Sequence, residues 1–176
     1  VGGYYSGKNK RLINLKNIFK KDFDIFGRFP LHGLSFPLDS FSEGKPQFYR
    51  VKEITDKQKE KIYSTYSIGL NMHLSEPSRE TGNARLYELA YRGVAQVVDS
   101  SDSSLVREIF EPDKEILLYE NLDQCIKQIN KLRTDRKFRT YIALNAYKRA
   151  IREYNYPNNL LKLFDWFKLI KSEHGN

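Results

Sequence analysis

The stretch Ser75-Glu76-Pro77-Ser78-Arg79-Glu80-Thr81-Gly82-Asn83-Ala84-Arg85-Leu86-Tyr87-Glu88-Leu89-Ala90-Tyr91-Arg92-Gly93-Val94 holds the side chains of this sequence best placed to do chemistry. Two acids, Glu80 and Glu88, flank a glycine, an amide and a guanidinium. On one helix, residues eight apart stand about 80° apart in rotation and about 12 Å along the axis. Glu80 and Glu88 therefore do not form one acid–base pair. The spacing puts Glu80 in a loop and Glu88 on the helix that follows it. A helix opening near Asn83 presents unpaired N–H groups and a partial positive charge. An anion seated there gains about 0.3–1 kcal/mol, and more when partly buried. Gly82 lets a phosphate come close to the backbone, and Arg85 adds a forked cation.

The elements that must position these groups alternate along the chain. Strands are predicted at residues 1–5, 23–26 (stopped by Gly27), 47–51, 67–72, 94–98 and 115–119. Helical spacing of apolar residues marks 9–20, 56–65 behind a Thr55 N-cap, 83–92 with Gly93 as its C-cap, and a short helix within 101–110. From Asn121 the pattern is helical to the end, with a break at Pro157. Strands alternating with helices predict an α/β fold, a Rossmann-like parallel sheet of about six strands flanked by helices, with a helical C-terminal extension. Ligands of such sheets bind at the carboxyl ends of the strands. The loops 2–8, 27–46, 51–55, 73–83 and 99–103 are then the ones that carry function.

The spacing of Glu80 and Glu88, followed by a small residue and a glycine ahead of a strand, resembles the donor-site signature of retaining GT-B glycosyltransferases. The phrase Arg85-Leu86-Tyr87-Glu88-Leu89-Ala90-Tyr91-Arg92-Gly93 behind Asn71-Met72-His73 resembles the variant in the group 1 family that contains CgeB-like proteins. The similarity runs in order over most of residues 1–155, and its specific part is 71–93. It implies one half of a GT-B fold, the domain that binds a nucleoside diphosphate sugar for transfer to an acceptor hydroxyl. It also implies a hexosyltransferase type of enzyme, with little or no activity from this chain alone. In that reading Glu88 accepts from the ribose hydroxyls, and Glu80, as the catalytic-side acid, faces the donor sugar. Backbone N–H groups around Gly82 and Asn83 meet the diphosphate with Arg85, while Gly3, Lys8, Lys10, Arg11 and His73 line the same site. Thr81 stands where the family has glycine, and Glu76 is an alternative to Glu80. The resemblance further implies an acceptor glycan or other hydroxyl compound, an N-terminal acceptor domain in the same parent chain, and no obligatory metal or other cofactor. The expected divisions are 1–155 for donor binding and 156–176 for an apolar helix that packs on the domain or on a missing N-terminal domain.

The chain has 176 residues, sized for one domain, and 40% of them are hydrophobic. Its single cysteine, Cys125, excludes an internal disulfide and reads as core; with no signal-peptide pattern, the sequence fits a cytoplasmic setting, peripheral to a membrane as an alternative. The net charge of +8 is uneven: residues 1–125 carry 18 basic and 18 acidic side chains, and residues 126–176 carry 12 and 4. The competing reading is a non-enzymatic interaction or nucleic-acid-binding module built on these basic helices. No nucleic-acid motif occurs in them, so the first reading expects no nucleic-acid partner, and a membrane surface remains a candidate. Asp22-Phe23-Asp24 matches a metal-binding acid pair but precedes a strand, away from the ligand edge. The segment Leu160–Ile170 is apolar around most of its circumference and needs something to cover. The opening Val1-Gly2-Gly3, without methionine, reads as part of a longer protein.

Overall fold

The computed structural model describes residues 6–27, 48–50, 55–72, 84–100 and 104–173. Helix α1 (Ser6–Phe19) leads through a 3-10 turn into β1 (Ile25–Gly27), which pairs in parallel with β2 (Phe48–Arg50). There follow α2 (Asp56–Thr65), β3 (Ile68–Asn71), α3 (Ala84–Tyr91), β4 (Ala95–Asp99), α4 (Ser104–Ile109) and β5 (Leu117–Tyr119). Three long helices close the chain: α5 (Leu122–Thr134), α6 (Arg136–Glu153) and α7 (Tyr156–Glu173). The second sheet has the order β3-β4-β5, all parallel, with Ile68 opposite Ala95 and Val97 opposite Leu117.

The expected single sheet of about six strands is thus corrected: the described residues form a three-stranded sheet and a separate parallel pair. Strands of three residues, such as β1 and β2, offer few ladder bonds, and these two use them on each other. Residues 1–5, expected as the first strand, and the connection 28–46 lie outside the described residues.

Burial on both faces explains why β4 reads as an almost continuous apolar run. Ala95 and Val97 face a cluster with Leu15 and Phe19 of α1 and Cys125, Ile129 and Leu132 of α5. Val98 faces the other way, against Leu86 and Ala90 of α3, Val106 and Ile109 of α4, Phe110 just after it, and Ala146 and Ala150 of α6. Helix α6 joins both faces, because Ile142 belongs to the first cluster and Ala146 to the second. Its far end is tied down by a partly buried ion pair, Arg149 Nη1 to Glu115 Oε2 at 2.9 Å, and by Tyr154 Oη donating to the Ile109 carbonyl at 2.6 Å.

The local signals are strong where the site is built. Thr55 caps α2 through a reciprocal pair: its hydroxyl accepts from Gln58 N at 3.3 Å, and its own N–H donates to Gln58 Oε1 at 3.0 Å. Helix α3 stops at Gly93, whose φ of +64° suits glycine, and Val94 N donates back to the Leu89 carbonyl at 3.0 Å. Gly69 in β3 lets α3 lie close on the sheet, since a Cβ there would sit 2.7 Å from Leu89 Cδ1.

Candidate functional site

The turn Arg92–Val94 is short, so α3 runs antiparallel to β4 and its amino end lies at the carboxyl edge of the sheet. Leu86, Leu89 and Ala90 bury the inner face of α3, while Ala84 at its start is exposed. Arg85 stands on the first turn of the helix, partly buried, and its Nε atom is sealed from solvent with no hydrogen-bond partner among the described residues. Burial pushes the Arg85 guanidinium pKa down, partly opposed by Tyr63 and Glu88 nearby. A cation at a helix amino end already opposes the dipole, and a buried donor without a partner costs about 1–3 kcal/mol. Both penalties are offset by the same event, the arrival of an anion.

Glu88 lies one turn further on and points toward α2. Its Oε2 accepts from the Tyr63 hydroxyl at 2.9 Å, and its Oε1 accepts from Lys59 Nζ at 3.1 Å. The hydrogen bond to Glu88 raises the Lys59 pKa; burial, and then the bond to Glu88, pushes the Tyr63 phenol well up. A carboxylate has about four acceptor positions. Two are taken here, which fixes the orientation of Glu88 and leaves acceptor capacity for further donors. Tyr63 also belongs to a small cluster with Leu89 and Val94 that holds α2 against α3.

Of the residues singled out by sequence, the structure brings Arg85 and Glu88 together on α3. Lys8 and Arg11 stand in the first three turns of α1. Gly3, His73, Glu76, Glu80, Gly82 and Asn83 lie outside the described residues. Asp22 and Asp24 are engaged elsewhere: Asp22 pairs with Arg133, and Asp24 with Lys16 at 3.6 Å and with the Tyr66 hydroxyl. Both lie ahead of β1, at the edge opposite its carboxyl end.

Sequence reading missed Lys59 and Tyr63. They sit four apart on α2, one turn of separation that puts them on one face, and this was the available signal. It also missed a cleft of about 320 Å³ beyond β4 and β5, where Arg107 and Lys127 add positive charge beside Ser100, Tyr119 and Glu120. Ser100 and Glu120 directly follow β4 and β5, so this cleft shares the carboxyl edge with the start of α3.

Residues 10–165 match the glycosyl transferase-like family. The chain belongs to that family. Membership makes glycosyl transfer its class of chemistry, with a sugar donor and an acceptor as the substrates. It gives no support to the nucleic-acid reading of the basic helices. Among curated proteins none matches this sequence. No helix among the described residues is long and apolar enough to cross a membrane.

Proposed function

We propose that this chain is the donor-binding domain of a retaining GT-B glycosyltransferase, transferring a hexose from a nucleoside diphosphate sugar to an acceptor hydroxyl. The observation that carries the reading is the Nε of Arg85 in the first turn of α3, sealed from solvent with no hydrogen-bond partner among the described residues and one turn from an oriented carboxylate. In this reading the amide end of α3 around Gly82 and Asn83 receives the diphosphate, and Arg85 donates to it. Glu88 accepts from the ribose hydroxyls with the lone pairs that Tyr63 and Lys59 leave open. Glu80 faces the sugar, with Gly3, Lys8, Arg11 and His73 on the other side of the donor. Catalysis is then electrostatic: fixed donors stabilise charge as it develops on the leaving diphosphate. That assignment gives neutralisation to the helix end and basic side chains and requires no metal. A second, N-terminal domain holds the acceptor, so residues 1–155 alone bind donor and turn it over slowly or not at all.

Calorimetric titration with UDP, GDP and ADP, free and as sugar conjugates, tests the reading. One nucleotide is expected to bind at millimolar concentration or better. Glu88→Ala is expected to weaken it more than Glu76→Ala. Absence of binding by all of them, or equal effects of the two substitutions, would overturn the assignment.

A further inference from the structure

The cleft of about 320 Å³ beyond β4 and β5 takes no part in the donor assignment. Its volume falls in the roughly 300–1,000 Å³ range of small-ligand sites. It lies at the carboxyl edge of a parallel sheet, where such folds bind their ligands. Arg107 comes to it from α4 and Lys127 from α5. Both are exposed, and neither forms an ion pair or a hydrogen bond among the described residues. Glu120 lines the same cleft and pairs with neither of them. The neutral lining groups are held in place. Gln124 Oε1 accepts from Glu120 N at 2.9 Å, which leaves its amide N–H donors open. Gln128 Nε2 donates to the Leu118 carbonyl at 3.3 Å, which leaves its Oε1 open as an acceptor. Ser100 N donates to the Tyr119 carbonyl at 2.9 Å and ties the ends of β4 and β5 together.

This set of groups defines a ligand class. A guanidinium and an ammonium on one cleft suit an anion, phosphate or carboxylate, that accepts from both. A bare ion leaves the Gln124 amide, the Gln128 oxygen and the Glu120 carboxylate unused. Hydroxyl groups beside the anion engage all three, because a hydroxyl both donates and accepts. A sugar that carries a phosphate or a carboxylate has both kinds of group. The family to which the chain belongs transfers a sugar to an acceptor. We propose that this cleft is an acceptor subsite that holds the phosphate or carboxylate of an anionic sugar. Arg107 and Lys127 grip the anion, and Glu120, Gln124 and Gln128 take the neighbouring hydroxyls. None of these residues belongs to the donor assignment, so the proposal stands whichever groups hold the nucleotide.

The isotope-labelled full chain is titrated with glucose-6-phosphate, glucuronate, glucose and inorganic phosphate, and amide chemical shifts are followed. One of the two anionic sugars is expected to move the amides of Arg107, Glu120, Gln124, Lys127 and Gln128 at millimolar concentration, and the tighter of the two identifies the anion. Glucose and inorganic phosphate should each bind about tenfold more weakly or worse, since each meets only half of the lining. Arg107→Gln combined with Lys127→Gln changes two exposed side chains, leaves circular dichroism unchanged, and should weaken binding of the tighter sugar about tenfold or more. Amides unmoved by both anionic sugars, or affinity unchanged in the double variant, would overturn the proposal. Equal affinity for inorganic phosphate and the anionic sugars would mean an adventitious ion only. A nucleoside diphosphate that moves the same amides and competes with the sugar would make the cleft a donor site and overturn it as well. Failure of every nucleotide to bind, with the sugar titrations positive, would sink the donor assignment and leave this proposal standing.

Discussion

Replacing Arg85 by methionine separates binding from stability in a way that few substitutions at a buried position do. The guanidinium is held partly buried at a helix amino end, with its Nε sealed and without a partner among the described residues. Removing it deletes an unsatisfied donor, which saves about 1–3 kcal/mol, and loses the attraction to the Glu88 carboxylate, which is of similar size at this partly buried site. Methionine keeps most of the apolar stem. The fold should therefore change in stability by no more than about 1 kcal/mol in either direction. Binding should respond very differently. A charge-assisted hydrogen bond to a diphosphate contributes about 1.5–3 kcal/mol, so the dissociation constant is expected to rise about 10- to 150-fold. Urea unfolding gives the first quantity and calorimetric titration with the nucleotide that binds wild type gives the second. A variant destabilised by several kcal/mol with unchanged affinity would show that Arg85 serves packing, and the reasoning fails.

Other substitutions test the scaffold around the site. Tyr63 and Lys59 both have raised pKa values, so each contributes stability that is fully present below its unfolded value, about 10, and is lost as pH rises through the folded value. Stability should fall above about pH 10, and Tyr63→Phe should cost about 1.5 kcal/mol at neutral pH and flatten that fall, as followed by urea unfolding across pH. Gly69→Ala puts a methyl 2.7 Å from a Leu89 side chain that is only 3% exposed, with an expected cost of about 1–3 kcal/mol; added Leu89→Ala should make the combined cost smaller than the sum. Arg149→Met removes the cation beside Glu115, which is 7% exposed and keeps the Glu111 N–H at 2.7 Å, and is expected to cost about 2–3 kcal/mol in thermal unfolding and to loosen α6 from α4.

Local chemistry was legible in the sequence and long-range pairing was not. Thr55 and Gly93 announced the ends of α2 and α3 because a cap and a positive φ are requirements of one or two residues. The alternating strands β3, β4 and β5 and the buried Cys125 followed from apolar patterning of the same short range. The boundary between α5 and α6 went unread, although Asp135 caps α6 by accepting from Phe138 N at 2.8 Å. Pro157 marked the break correctly: α6 ends at Glu153 and α7 starts at Tyr156, so the proline sits in the first turn of the new helix, where a missing N–H costs nothing. The size of the sheet was overstated because alternation says how many extended segments there are, not which of them share a ladder. Arg85 and Glu88 were expected on one helix, and both lie on α3. Lys59 and Tyr63 were not expected at the site, because their contact with Glu88 spans 25 residues or more and depends on α2 lying beside α3.

The central claim is that the amide end of α3 receives a diphosphate. Amide chemical shifts of the isotope-labelled chain, followed during titration with the nucleoside diphosphate that binds, test it most directly. The account predicts that the largest changes fall on residues 82–88, with smaller ones on Lys59 and Tyr63 as Glu88 takes on new donors. Changes confined to the basic helices α6 and α7, with residues 82–88 unmoved at saturation, would contradict it.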